Sequence, residues 1–287
     1  MGKKRRRLIV ISLVSVFALS GTLIMGSLPL TAFSEVKAGI EAEAASTKLV
    51  ESHLSKANQY MGEKTVENLE KAIKEIETAL EIDPNNYEAL WMIAKAYTDI
   101  IAIKTSALII EKDEYKPLLK ELGKKADIYA RRALEINPEA KESIAAAALA
   151  HGYYSASFGI AKAILKGAAG RYKKLCNQLI EIDEEYGGAL GYKMMGKLYY
   201  VAPWPVGSEK KSIKFYKKAL EVDNSLLEPH YYLGMIYLEN KEYDLAKQEF
   251  EFVVENPPLK LEEFYIGEFK NESSKHLEEI QAIEMEK

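Results

Sequence analysis

LEPHYYLGMIYLENKEYDLAKQEFEFVVENPPLK, residues 227 to 260, holds two apolar stripes joined by a short polar turn. In its second half Ala246, Phe250 and Val253 recur at steps of four and three, and Pro258 follows. Such steps place side chains on one face of a helix, and proline cannot continue it. In the first half Leu233 and Gly234 precede Tyr237, and Gly234 stands twelve positions before Ala246. A small residue there lets two helix backbones approach closely, while the Tyr ring wedges against the next hairpin. Two antiparallel helices of this kind cannot bury their apolar face alone. They predict a stack.

Working outward, the same spacing returns in Ala72, Ile76, Ala79 and Pro84, in Ala126, Ala130, Ala133 and Pro138, and in Ser212, Tyr216, Ala219 and Asn224. A weaker copy runs through Tyr172, Cys176, Leu179 and Glu184. First helices carry Ile93, Ala94 and Tyr97, then Met195, Gly196 and Tyr199, and more loosely Ala147, Ala148 and His151. The pattern resembles tetratricopeptide repeats, whose period is 34 residues. The expected fold is all-α: a helical-hairpin, tetratricopeptide-like solenoid over residues 35–260, closed by a C-terminal capping helix over 261–287. Ahead of it stands an N-terminal signal peptide or uncleaved membrane anchor over residues 1–34. Successive second helices start farther apart than one repeat near the N-terminus and close to one repeat by Ala246, so insertions separate the two helices of the earlier units.

The leader has its own character. Lys3, Lys4, Arg5, Arg6 and Arg7 precede Leu8 to Ser34, a stretch with no charged residue. Basic residues stay in the cytoplasm, so the body beyond the apolar stretch is expected outside it, periplasmic or at the cell surface. The apolar run exceeds a usual signal core and is long enough to span a bilayer, which needs ~20 residues. Small residues near Ala32 and Ser34 also permit cleavage. The whole chain of 287 residues carries a formal charge of −4, and with five cations in the leader the body is more acidic still. An acidic exported body argues against nucleic acid as partner. With 48% apolar and 29% charged residues, the chain has the composition of a folded protein.

Three insertions stand out. An Ile-rich run after Tyr97 extends its helix before Lys116-Pro117 turns the chain. Ile144 to Leu165, rich in Ala, Gly and Ser, is either a central helix buried by close packing or one lining a groove, channel or subunit contact. Trp204, in APWPVG over 202–207, either covers the end of a groove or packs on adjacent helices, and Ser208 is the N-cap of a helix from Glu209.

From Ile128 to Val254 the order of features, above all GYKMMGKLYYVAPWPVG over 191–207, resembles the T-component of tripartite ATP-independent periplasmic (TRAP) transporters. The resemblance implies a homo-oligomer, a trimer with a central apolar pore. It further implies a role as accessory to an extracytoplasmic solute-binding protein, handling organic-acid or hydrophobic ligands. Members of that family are lipid-anchored, which requires a Cys; here Leu19-Ser20-Gly21 is followed by Thr22, so retention falls to the leader as a membrane helix. The other candidate role is an envelope scaffold that assembles other envelope proteins on its concave face.

No catalytic or metal site is expected. The four His, at 53, 151, 230 and 276, form no HExxH, no paired CxxC exists, and no glycine-rich loop follows a strand. Cofactors are none, and the chain is not expected to be an enzyme. Cys176, the single cysteine, fills a core slot of a second helix. Binding falls to the concave side, lined by first helices. Counting from each small residue gives Trp91 and Lys95, Leu149, Lys193, Lys197 and Tyr200, and then Tyr231, Met235 and Leu238, with Trp204 on a loop near the groove. Glu228 is set aside as a solvated first-turn residue. Aromatic, aliphatic and cationic slots together suit an extended peptide with an acidic end or an amphipathic organic acid.

Overall fold

The computed structural model describes residues 30–108 and 111–286, all helix and connection. The basic run and most of the apolar stretch, residues 1–29, lie outside the described residues. Among the described residues twelve helices succeed one another: α1 (Leu30–Gly62), α2 (Val66–Ile82), α3 (Tyr87–Thr105), α4 (Lys116–Ile136), α5 (Lys141–Ala156), α6 (Ile160–Leu165), α7 (Ala168–Ile182), α8 (Tyr186–Val201), α9 (Glu209–Val222), α10 (Leu227–Glu239), α11 (Tyr243–Glu255) and α12 (Gly267–Met285). Among these residues no helix is long and apolar enough to cross a membrane. The chain divides after Lys48 into a short N-terminal unit and a body, Leu49–Lys287. In the N-terminal unit Lys37 pairs with Glu41 one turn on, at 3.9 Å.

Within the body the helices stack as hairpins, packing on their chain neighbours, with α3 also on α5, α5 on α7, α8 on α10 and α10 on α12. The second-helix stripes are the reason. Ala72, Ile76 and Ala79, Ala126, Ala130 and Ala133, Ser212, Tyr216 and Ala219, and Ala246, Phe250 and Val253 are all fully buried. In the weaker copy Cys176 and Leu179 are buried too, and Tyr172 half so. The helices stop just before their breakers: α2 ends at Ile82 before Pro84, α4 at Ile136 before Pro138, and α11 at Glu255 ahead of Pro258. Helix starts are set locally. Thr65, Asn86 and Ser208 sit outside the helix, and their side chains accept from the N–H of Asn68, Ala89 and Lys211. Such caps contribute about 1 kcal/mol each.

The small residues of the first helices are filled from the second. A Cβ on Gly196 would stand 2.8 Å from the Tyr216 ring, and one on Gly234 2.7 Å from the Phe250 ring. Only glycine admits those rings so close to the backbone. One hairpin partner escaped the pattern: the C-terminal half of α1 buries Val50, Leu54 and Ala57 against α2 and is the first helix of the unit carrying Ala72. Its signal was present in Ala57 and Tyr60, three apart.

Two departures from the sequence expectations shape the interior. The segment from Ile144 to Leu165 is not one helix: α5 stops at Ala156, and Gly159 (φ 86°) turns the chain into the short α6. After α11 the chain does not pass straight into a solvated cap. Residues 257–266 fold back against the first helices, and α12 then packs on α11. There Phe264 meets the Lys64 ammonium, 3.8 Å from its ring centroid, and the turn after α3 touches α12. The two ends of the stack are thereby joined across its concave side.

Candidate functional site

The first helices α3, α5 and α8, together with α6 and α7, surround a cavity of about 330 Å³. Most of its wall is small or aliphatic, with Ala102, Leu149, Gly152, Ala163, Ile164 and Met194 facing in. Small residues at these positions leave volume unfilled, whereas in the last hairpin Phe250 fills it. The polar part of the wall includes Asp99, Lys193, Lys197, Glu228 and Tyr265, besides Thr98, Glu111, His151 and Ser155.

Lys193 on α8 and Glu228 at the start of α10 form an ion pair at 3.3 Å, with only 4% and 10% of the two side chains exposed. The Tyr265 hydroxyl donates to Glu228 at 3.0 Å and accepts from the Lys193 ammonium at 3.3 Å. Burial works to raise the Glu228 carboxyl, but the charges of Lys193 and Lys197 and the Tyr265 hydrogen bond outweigh it and hold it below the usual range. Lys197, one turn beyond Lys193, donates to the Ala107 carbonyl and lies 5.3 Å from the Tyr232 ring centroid. Burial brings its pKa down to about 8, against the pull of Glu228. Lys193 is thus neutralised by a partner, whereas Lys197 keeps an amine in the wall with no carboxylate bonded to it.

Glu262, from the segment that folds back, holds the start of α10 in place. Its carboxylate accepts from the N–H groups of Leu227 and Glu228 at 3.0 and 3.2 Å. The first turn of α10 has no side-chain cap of its own, so a residue 35 positions away supplies it. Burial raises the Glu262 carboxyl above its ordinary value. On the opposite side Asp99 accepts from Lys95 at 2.7 Å and pairs with Lys64 at 3.7 Å. Burial lowers Lys64 to about 8.

Of the residues expected on the concave face, the cavity brings together Leu149, Lys193 and Lys197. The rest lie elsewhere. Trp91 packs half-buried on the main core, and Lys95 is bound to Asp99. The Tyr200 hydroxyl donates to Glu239 at 2.6 Å. Tyr231 is only 3% exposed, with Phe269 of α12 at 5.0 Å, so it is core and not an open slot. Met235 and Leu238 pack on the same cluster. For Tyr231 the cause is α12, whose Phe269 packs edge-on against its ring. Trp204 neither closes the groove nor packs on a helix; it is 89% exposed.

Glu228, set aside as solvated, is buried as the counter-ion of Lys193, because residues 257–266 cover it. Tyr265 and Glu262 had no signal in the sequence, lying in a charged stretch that reads as a cap. His151 lines the cavity with Nε2 3.0 Å from the Ala168 carbonyl oxygen, and burial lowers its pKa. Cys176 is fully buried and burial pushes its thiol up, which makes it a packing residue. Among the described residues no group of three or more His, Cys, Asp or Glu could hold a metal.

Comparison with known proteins agrees with the repeat fold. A tetratricopeptide-repeat family model matches residues 227–258, the hairpin of Gly234 and Phe250. A model described as plant specific mitochondrial import receptor subunit TOM20 matches residues 47–142. Among solved structures, TTC0263, a thermophilic TPR protein of Thermus thermophilus, is 17% identical with a TM-score of 0.52, covering 79% of this chain and 98% of its own. PilF of Pseudomonas aeruginosa is 14% identical with a TM-score of 0.52, covering 85% of this chain and 100% of its own. No curated protein matches the chain. The described residues thus form an all-helical, tetratricopeptide-like solenoid, with a tetratricopeptide repeat matched at residues 227–258.

Proposed function

We propose that this tetratricopeptide-repeat protein works outside the cytoplasm, tethered through residues 8–34, as a T-component-like accessory of a TRAP-type solute transporter. Its ligand is an amphipathic organic acid or other apolar molecule held in the concave cavity. The observation that carries the reading is the cavity itself, about 330 Å³ of mostly apolar wall with amines set into it. That volume sits within the ~300–1,000 Å³ of small-molecule sites. The block on which the family resemblance rests, residues 191–207, supplies Lys193, Met194, Lys197 and Val201 to that wall. The location is supported by Lys3 to Arg7 ahead of the uncharged Leu8 to Ser34. The partner is then an extracytoplasmic solute-binding protein, and the assembled form a homo-trimer.

The test is displacement of an environment-sensitive naphthalene dye by medium-chain carboxylates, with Ala163→Phe as the blocked variant. The native protein should take up dye and release it to carboxylate, while Ala163→Phe keeps its melting temperature and loses both. A native protein that takes up neither dye nor carboxylate rules the reading out. Light scattering that gives a strict monomer removes the trimer.

The second reading is an envelope scaffold, supported by the repeat fold and by the match of residues 47–142 to an import-receptor family. An envelope protein bound equally by the native chain and by Ala163→Phe would favour it.

A further inference from the structure

Several apolar side chains close in the chain to cavity-wall residues face water and make up its rim. Leu165, next to the wall residue Ile164, is 88% exposed, Trp204, three residues after the wall residue Val201, is 89% exposed, and Phe158 and Val201 are exposed too. The short α6 is apolar on two sides: Ile160, Ala163 and Ile164 face the cavity, and Leu165 points away from it. Gly159 and Gly167, at φ 86° and 82°, bracket it. A soluble surface gains nothing from this arrangement.

The charge around it is as unusual. From Ser143 to Ile180 this acidic protein has no Asp or Glu, yet it carries Lys162, Lys166, Arg171, Lys173 and Lys174. Lys210 and Lys211 extend the patch from the first turn of α9. The two parts are contiguous, since Lys173 and Lys211 stand 5.1 and 5.2 Å from the same Tyr199 ring centroid. Lys162, Lys166, Lys174 and Lys210 have no acidic partner among the described residues, while Lys166 lies 5.5 Å from the Phe158 ring centroid.

We propose that this rim rests on an anionic lipid bilayer, with Leu165, Phe158 and Trp204 entering the interface and the lysines at the headgroups. Exposed Trp and Leu among lysines are the chemistry of a membrane surface, where the amphipathic Trp ring sits at headgroup level and Lys stems lie along apolar surface. A protein partner is the poorer fit, because protein interfaces are depleted in Lys. A second copy docked through the same face sets two cationic patches against each other. The proposal goes beyond the ligand reading and holds whether or not the cavity carries a ligand. It places α6 between lipid and cavity.

The full chain carrying Trp91→Phe leaves Trp204 as the sole tryptophan, excited selectively over tyrosine. It is mixed with vesicles of phosphatidylcholine alone or with phosphatidylglycerol, each with and without brominated acyl chains. With the anionic vesicles, Trp204 emission should shift to shorter wavelength, be quenched by the brominated chains and lose accessibility to acrylamide. High salt should reverse this. The reversal Lys162→Glu with Lys166→Glu should cut the quenching about threefold or more at unchanged circular dichroism. The leader is common to the parent and to the double reversal, so the difference between the two reports the rim. The proposal fails if Trp204 stays as open to acrylamide with anionic vesicles as without, or if the double reversal is quenched like the parent. It fails also if Trp204 is shielded without vesicles as the molecular mass rises, since a second copy then covers the rim.

Discussion

The last hairpin, α10 and α11, and the central one, α5 and α7, follow the same rule and end differently. In α10 the small residue is Gly234, and Phe250 of α11 fills the space above it. In α5 the cavity wall includes Leu149, Gly152 and Ala156, the facing part of α7 offers Ala168 and Ala169, and an inserted turn and α6 separate the two helices. Close packing of helices needs one small and one large surface. Where both are small and the connection is long, volume is left over, and here it becomes the cavity. Stability resides in the regular unit and the candidate site in the irregular one.

The largest effect should come from the buried pair in the cavity wall. Lys193→Ala leaves the Glu228 carboxylate buried beside Tyr265 without its bonded cation and should cost about 3 kcal/mol in urea unfolding. A loss under about 1 kcal/mol would show that water reaches Glu228. Next comes Gly234→Leu, which drives a side chain into the Phe250 ring and should cost about 2–3 kcal/mol, with early proteolysis of the last hairpin. An unchanged melting temperature would mean that the repeat register is wrong. Glu262→Gln keeps the shape but removes the charge capping α10, and should cost about 1 kcal/mol.

The pH dependence sharpens the same contrast. Lys64 and Lys197 have folded values near 8, below the 10.5 of a free lysine, so between those values the unfolded chain holds more protons. Stability should therefore rise with pH from about 8. Above about 10 it should fall, because burial raises Tyr97 and Tyr186 to about 12 and the unfolded tyrosines ionise first. A Lys197→Met variant should lose part of the rise, and a profile identical to the parent would show Lys197 to be solvated. The smallest effect is expected for Ala102→Leu, which adds bulk like that of Gly234→Leu but into the cavity. It should move stability by less than about 1 kcal/mol while lowering dye uptake. A loss as large as that of Gly234→Leu would abolish the distinction between the two hairpins.

The second-helix stripes were legible because one helix face is periodic in sequence, and a buried face selects Ala, Ile, Tyr or Phe at fixed steps. Leu149, Lys193 and Lys197 were reached by counting from the small residues of first helices, since that count fixes which side of a helix a residue occupies. The same count misplaced Tyr231, which lies in the core, because nothing in residues 227–260 tells that α12 lies across them.

The sequence by itself determined the hairpins, their caps, their buried stripes and the faces turned inward, all of them consequences of interactions within about one helical turn or one repeat. Only the tertiary structure decided how the concave side is closed. Residues 257–266 return to bring Glu262 to α10, Tyr265 to Lys193 and Phe264 to Lys64, contacts between residues 34 to 200 positions apart. Such contacts have no period to betray them, since a charged side chain facing solvent and one buried against a distant partner leave the same letter in the chain.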